Sequence, residues 1–259
     1  MSIEFDEKRK TFMLTAKNTS YQMQISQTGY LFHSYWGRKV RKINTDGFAI
    51  RSERYANVSP VTDLNDRTFS LDTIPLEYPA YGNSDYRTPA FQIQFNDGST
   101  VAVPKYKSHI ISEGKSSLEG LPATYVENKD EADTLEIVLE DEVGEFEIHL
   151  LYTAFKELDV ITRSAKFVNT GTRNIKILKA FSMSVDMPNE GYEMLQLSGA
   201  WGRERHMFKH RLIPGMQSIE SSRGASSHQQ NPFVAVLSKG ANEKYGDVYA
   251  VNLVYSGSF

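Results

Sequence analysis

Apolar and polar residues alternate with a period of two along most of the chain, the pattern of strands that turn one face to a core. Phe12-Met13-Leu14 leads through the polar turn Lys17-Asn18-Thr19-Ser20 into Tyr21, Met23 and Ile25, which alternate with Gln22 and Gln24. This predicts a hairpin. Phe91, Ile93 and Phe95 alternate with Gln92 and Gln94 and meet Asn96-Asp97-Gly98; Thr100-Val101-Ala102-Val103 then reads as the returning strand. Asp-Gly is a strong turn signal because glycine accepts the positive φ of a tight hairpin. Leu135, Ile137 and Leu139 share a face opposite Glu136 and Glu140, and Phe146, Ile148, Leu150 and Tyr152 oppose Glu145, Glu147 and His149. Phe181, Met183 and Val185 oppose Ser182, Ser184 and Asp186. Phe233 to Leu237 and Val248 to Tyr255 are more continuously apolar, which predicts strands covered on both faces.

No segment sustains ten residues of 3.6 periodicity, and the one short helical candidate is Ala200 to Phe208. The predicted fold class is therefore all-β, a large antiparallel β-sandwich, with residues 1–259 as one domain. Two stretches lack strand patterning. Ser59 to Pro89 is rich in Asp, Asn, Pro and Tyr; a loop of that length in a compact domain is usually functional or disordered, and its aromatics and prolines argue against disorder. Leu197 to Pro232 concentrates planar polar side chains, small residues and Trp201, one of only two tryptophans.

Composition narrows the function. The chain has 259 residues, 29 Lys+Arg against 32 Asp+Glu and a net charge of −3, without a basic cluster, which argues against nucleic acid as the partner. It has no cysteine, which removes disulfides, zinc-thiolate sites and thiol nucleophiles together. No apolar run approaches the ~18 residues of a membrane-spanning helix. The first residues, Met1-Ser2-Ile3-Glu4-Phe5-Asp6, lack a basic segment followed by an apolar one, so the expectation is a cytoplasmic protein that does not contact a membrane.

The usual catalytic constellations are missing. Ser227 and His228 are neighbours, but no G-x-S-x-G turn presents a nucleophile, and adjacent residues of an extended chain point to opposite faces. The six histidines are scattered; His206 and His210 have i,i+4 spacing without the His-Glu-x-x-His pattern, so no metal site and no cofactor is expected. Sugar recognition is the chemistry that the residues suggest. Arginine and carboxylate groups give directional, charge-assisted hydrogen bonds to hydroxyls, and tryptophan gives a flat apolar platform with one polar N–H. Arg67, Asp85, Arg87, Trp201, Arg203 and Arg205 lie in the two strand-poor stretches, beside Tyr78, Tyr81 and Tyr86. Each arginine reads equally as a loop-locking ion pair, and Trp201 equally as a core or interface anchor.

Four blocks carry a family resemblance. They are Arg67-Thr68-Phe69-Ser70-Leu71-Asp72-Thr73 with its continuation from Glu77 to Ala90, Gly199-Ala200-Trp201-Gly202-Arg203-Glu204-Arg205, Ser222 to Phe233, and Val254-Tyr255-Ser256-Gly257. From about Tyr21 onward the chain resembles the N-terminal domain of family 36 α-galactosidases.

That resemblance implies a β-supersandwich preceding a catalytic (β/α)8 barrel and a C-terminal sheet domain. It implies retaining hydrolysis of terminal α-1,6-galactosides such as melibiose and raffinose by two Asp residues of the barrel, so that no catalytic residue lies in this chain. The expected partners are α-galactoside sugars and further copies of the same protein, as a homotetramer in which one sandwich reaches the active-site mouth of a neighbour. Carried onto this sequence, the substrate-binding residues implied are Trp201, then Arg67, then Glu53, which stands where relatives usually have Asp and sets its carboxylate about one C–C bond further out. Asp85, Arg87, Arg203 and Arg205 are implied as loop or interface support. The chain ends four residues beyond the strand predicted at Val251 to Tyr255, so a cut through a longer enzyme and an exposed sheet edge are expected. The alternatives are a stand-alone carbohydrate-binding module, a mutarotase-like sandwich, which needs a His base and carboxyl pair not apparent here, and a pure assembly domain.

Overall fold

The computed structural model describes residues 2–41, 66, 68–226 and 228–259. The described residues form fourteen strands and one short 3₁₀ turn, Lys129–Glu131, with no α-helix. They divide into two compact units. The first comprises the described residues up to Ser116 together with Tyr125–Asp186, and the second comprises Ser117–Thr124 and Met187–Phe259. No change of composition marks the division along the chain.

In the first unit, β1 (Ile3–Asp6), β2 (Thr11–Thr15), β3 (Thr19–Ile25) and β4 (Leu31–Arg38) form one antiparallel sheet in sequence order. A second sheet has β6 (Lys105–Glu113), β7 (Ala132–Asp141), β8 (Phe146–Phe155) and β9 (Ile161–Asn169), again in sequence order. The alternation explains why both exist. Phe12, Leu14, Tyr21 and Met23 from the first and Leu135, Ile137, Ile148, Leu150 and Tyr152 from the second belong to one buried cluster. That is the sandwich arrangement, two inner faces sharing a core. β5 (Phe91–Phe95) joins this cluster through Phe91, Ile93 and Phe95.

Two of the predicted strands of this unit are absent. Asp97-Gly98 makes its turn, with Gly98 at φ 85° and the Ser99 carbonyl accepting from the Phe95 N–H at 2.9 Å. The chain then leaves: the Val103 N–H donates to the Asp141 carboxylate at 2.6 Å, and Pro104 has no N–H to give. β5 pairs instead with β10 (Ile175–Ala180). Phe181, Met183 and Val185 alternate but form no strand, because carbonyls of this stretch serve side chains. The Tyr78 hydroxyl donates to the Phe181 carbonyl at 2.5 Å, and Arg163 Nη1 donates to the Ser184 carbonyl at 3.0 Å.

The second unit is a single four-stranded antiparallel sheet in the order β12-β11-β13-β14. Its strands are β11 (Glu193–Ala200), β12 (Arg203–Arg211), β13 (Gln230–Leu237) and β14 (Val248–Asn252). Its buried cluster contains only Ala235, Leu237 and Ala241. The expectation that β13 and β14 are covered on both faces fails for β14, where Val248 and Val251 are exposed on an edge strand. The expected free edge is present twice, at β14 and at β12, whose nine residues are all exposed.

Candidate functional site

The stretch read as a helix from Ala200 to Phe208 is a hairpin, and the stretch read as strand-poor from Leu197 to Pro232 contains β12 and parts of β11 and β13. Glycine decides the difference. Ala200 pairs with Arg203 across a two-residue tip, Trp201-Gly202, and Gly202 adopts φ 77°, which a helix does not allow. A Cβ at Gly199 would lie 2.2 Å from the Arg203 carbonyl oxygen and 3.1 Å from that of His228. The two strands and the 228–230 segment therefore close on a position that only glycine fills. The Gly199 N–H donates to the Gln229 carbonyl at 3.0 Å, and the Ser198 hydroxyl donates to Gln230 Oε1 at 2.7 Å.

This base carries Trp201 at the tip with 87% of its surface exposed. An apolar ring of that size held in solvent offers a stacking face at little conformational cost. Arg203 and Arg205 are exposed on the same hairpin, and Arg205 holds a positive φ of 54°, a conformation uncommon outside glycine and asparagine. The Glu204 carboxylate accepts the Gly202 N–H at 2.7 Å. This bond, with the backbone N–H of Glu204 itself and the neighbouring His228 and Arg205, holds the carboxyl below the usual range. Behind the tip, Arg223 bonds Gln229, the Ser226 N–H donates to the Ser256 carbonyl, and Ser221 and Phe259 exchange two backbone hydrogen bonds.

Asp85 and Arg87 sit elsewhere, in the first unit. Arg87 donates Nε and Nη2 to the two oxygens of buried Asp85 at 2.9 and 2.8 Å, Nη2 also to the Leu71 carbonyl at 2.9 Å, and Nη1 to Asp186. Burial works against the guanidinium's charge, but the Asp85 and Asp186 carboxylates outweigh it and raise its pKa. All of these Arg87 donors are spent inside the protein, which is the geometry of a loop lock. Of the neighbouring tyrosines, Tyr78 is buried and stacked on Phe91 at 5.6 Å, while Tyr81 and Tyr86 are exposed. Arg67 and Glu53 lie outside the described residues, as does Ser227. Among the described residues no group of three or more His, Asp or Glu is placed to hold a metal ion, and no helix is long and apolar enough to cross a membrane.

Sequence reasoning missed a buried polar centre in the first unit. Glu77, fully buried, accepts from the Tyr21 hydroxyl at 2.9 and 2.7 Å on its two oxygens and from the Tyr152 hydroxyl at 2.9 Å, and it pairs with Arg163. Burial opposes the Arg163 charge, but Glu77 and the two tyrosines more than compensate and keep it protonated. His33 Nδ1 lies 3.9 Å from Glu77 and has no hydrogen-bond partner. Burial, then Arg163, push the imidazole down to about 4. The Glu77 and Arg163 side chains are buried together, so the cluster ties β3, β8 and β9 together inside the first unit.

The blocks that build the tip and the Asp85–Arg87 lock are the ones that carry the family resemblance. The profile of the Glycosyl hydrolase family 36 N-terminal domain matches residues 29–259. The chain belongs to this family. It is 51% identical over its whole length to α-galactosidase AgaA of Geobacillus stearothermophilus, of which it spans 35%. It is 41% identical over its whole length to the bifunctional α-galactosidase/sucrose kinase AgaSK of Mediterraneibacter gnavus, of which it spans 28%. The fold superimposes on the crystal structure of α-galactosidase AgaB of Geobacillus stearothermophilus with a TM-score of 0.92 at 50% identity, over all of this chain and 35% of that one. An AgaA variant solved in complex with raffinose matches with a TM-score of 0.91 at 52% identity, over 96% of this chain and 34% of that one. The chain thus spans about a third of the length of these relatives.

Proposed function

We propose that this chain is the N-terminal, non-catalytic part of an α-galactosidase that removes terminal α-1,6-linked galactose from raffinose-type sugars with retention. The observation that carries this reading is full-length similarity to only the family 36 N-terminal portion of α-galactosidases. Retention needs two carboxyl groups about 5–5.5 Å apart on either side of the scissile bond. Of the acids in the blocks that carry the family resemblance, Glu77 is sealed in a core, Asp85 is locked by Arg87, and Glu204 accepts a backbone N–H. The chemistry then belongs to the part of the enzyme that follows.

The role assigned to this part is twofold. It supports self-association, for which the free edges of β12 and β14 and the exposed Met207, Phe208 and Val248 supply surface. It also carries the Trp201 tip to the substrate entrance of a neighbouring subunit, where the indole stacks on a sugar remote from the bond that breaks. The parent is then a homotetramer, measurable by sedimentation. The test of the division of labour is an aryl α-galactoside assay. The 259-residue chain is expected to give no turnover while the full-length enzyme does. Turnover by the chain alone overturns the reading.

A further inference from the structure

We infer that Glu204 is a positioning residue that holds the Trp201 tip in its sugar-contacting conformation; this rests on the substrate-entrance role proposed for Trp201. The tip is only two residues long, and its own ladder ends at the Ala200–Arg203 pair. Nothing in the ladder fixes the peptide between Trp201 and Gly202. The Glu204 side chain does, by accepting the Gly202 N–H at 2.7 Å from two residues further along the chain. Gly202 at φ 77° and Arg205 at φ 54° bracket this contact. A non-glycine residue held in the left-handed region persists where its surroundings enforce it.

The base of the hairpin is rigid for a separate reason. Gly199 admits no Cβ against Arg203 and His228, and its N–H is bonded to Gln229. A fixed base and one side-chain tether together set where an otherwise unsupported indole points. Glu204 itself need touch no sugar.

The distinguishing feature of a tether is that an amide oxygen replaces it. In the full-length enzyme, Glu204→Ala is expected to raise the KM for raffinose about threefold, the scale of one net hydrogen bond, with kcat unchanged. Glu204→Gln is expected to keep the parent KM, since its Oε1 still accepts the Gly202 N–H. Glu204→Ala added to Trp201→Ala is expected to change nothing further, because a tether without its tryptophan has nothing to position. If Trp201→Ala raises the KM and Glu204→Ala does not, or if the two effects simply add, the inference is overturned. Exchange of the Gly202 amide in the full-length enzyme supplies an independent readout. Glu204→Ala is expected to accelerate it and Glu204→Gln to leave it slow. Equal exchange in both variants overturns the tether. If Trp201→Ala leaves the raffinose KM unmoved, the entrance role fails first, and the amide exchange still decides the geometry.

Discussion

The two units use charge and aromatic side chains in opposite ways. In the first, Glu77, Arg163, Tyr21 and Tyr152 are closed inside a sandwich, where the carboxylate accepts from both tyrosines and pairs with the guanidinium. In the second, Trp201, Arg203 and Arg205 stand in solvent on a single sheet whose buried cluster contains three residues. Buried groups of this kind must be mutually paired, since desolvation penalises any that is not. Exposed groups carry no such obligation and are available to a ligand or a neighbouring chain. The contrast separates residues that hold the protein up from residues that face outward, although both sets combine arginine with aromatic side chains.

The largest effect is expected at Arg163. Arg163→Ala leaves the Glu77 carboxylate buried without its cation, and a loss of roughly 3–5 kcal/mol of stability is expected in urea unfolding. Replacing both partners, as in Glu77→Gln with Arg163→Met, is expected to recover part of that loss, because no charge is then stranded. A loss no larger than that of an ordinary surface substitution would show that the centre is not what holds the sandwich.

The next effect is a pH dependence. His33 is held near 4 in the fold against 6.5 in an unfolded chain. The unfolded state then binds the extra proton first as the pH falls, so stability is full above pH 6.5 and is lost progressively down to pH 4. The difference corresponds to about 3 kcal/mol. Urea midpoints between pH 7 and pH 4 measure it, and His33→Gln is expected to flatten that part of the profile.

The smallest expected effect is on the outward-facing side. Trp201→Ala is expected to change stability by less than about 0.5 kcal/mol, because an exposed side chain has little packing to lose. A melting shift as large as that of a core aromatic would place Trp201 with the first group and remove the contrast.

Much of the first unit was legible in the sequence, because one-sided burial writes itself as alternation. Leu135, Ile137 and Leu139, and Phe146, Ile148, Leu150 and Tyr152, read as the inner faces of strands and are buried in β7 and β8. The polar centre was not legible, since Glu77 and Arg163 lie 86 positions apart and meet only through the fold. The second unit was harder for a different reason. β12 is exposed on both faces, so Arg203 to Arg211 show no alternation, and the adjacent apolar pair Met207-Phe208 suits either a helix or a strand. The signal that was available is Trp201-Gly202 at the tip, a two-residue turn with glycine where positive φ is needed. The return strand after Gly98 failed because a turn signal sets a reversal of direction and not the pairing beyond it.

Steady-state kinetics of Trp201→Ala in the full-length enzyme decides whether the exposed tip serves substrate recognition at a distance from catalysis. A raised KM for raffinose with kcat retained is expected, since binding remote from the reacting bond is removed. An unchanged KM for raffinose, or a fall in kcat with KM unchanged, would contradict it.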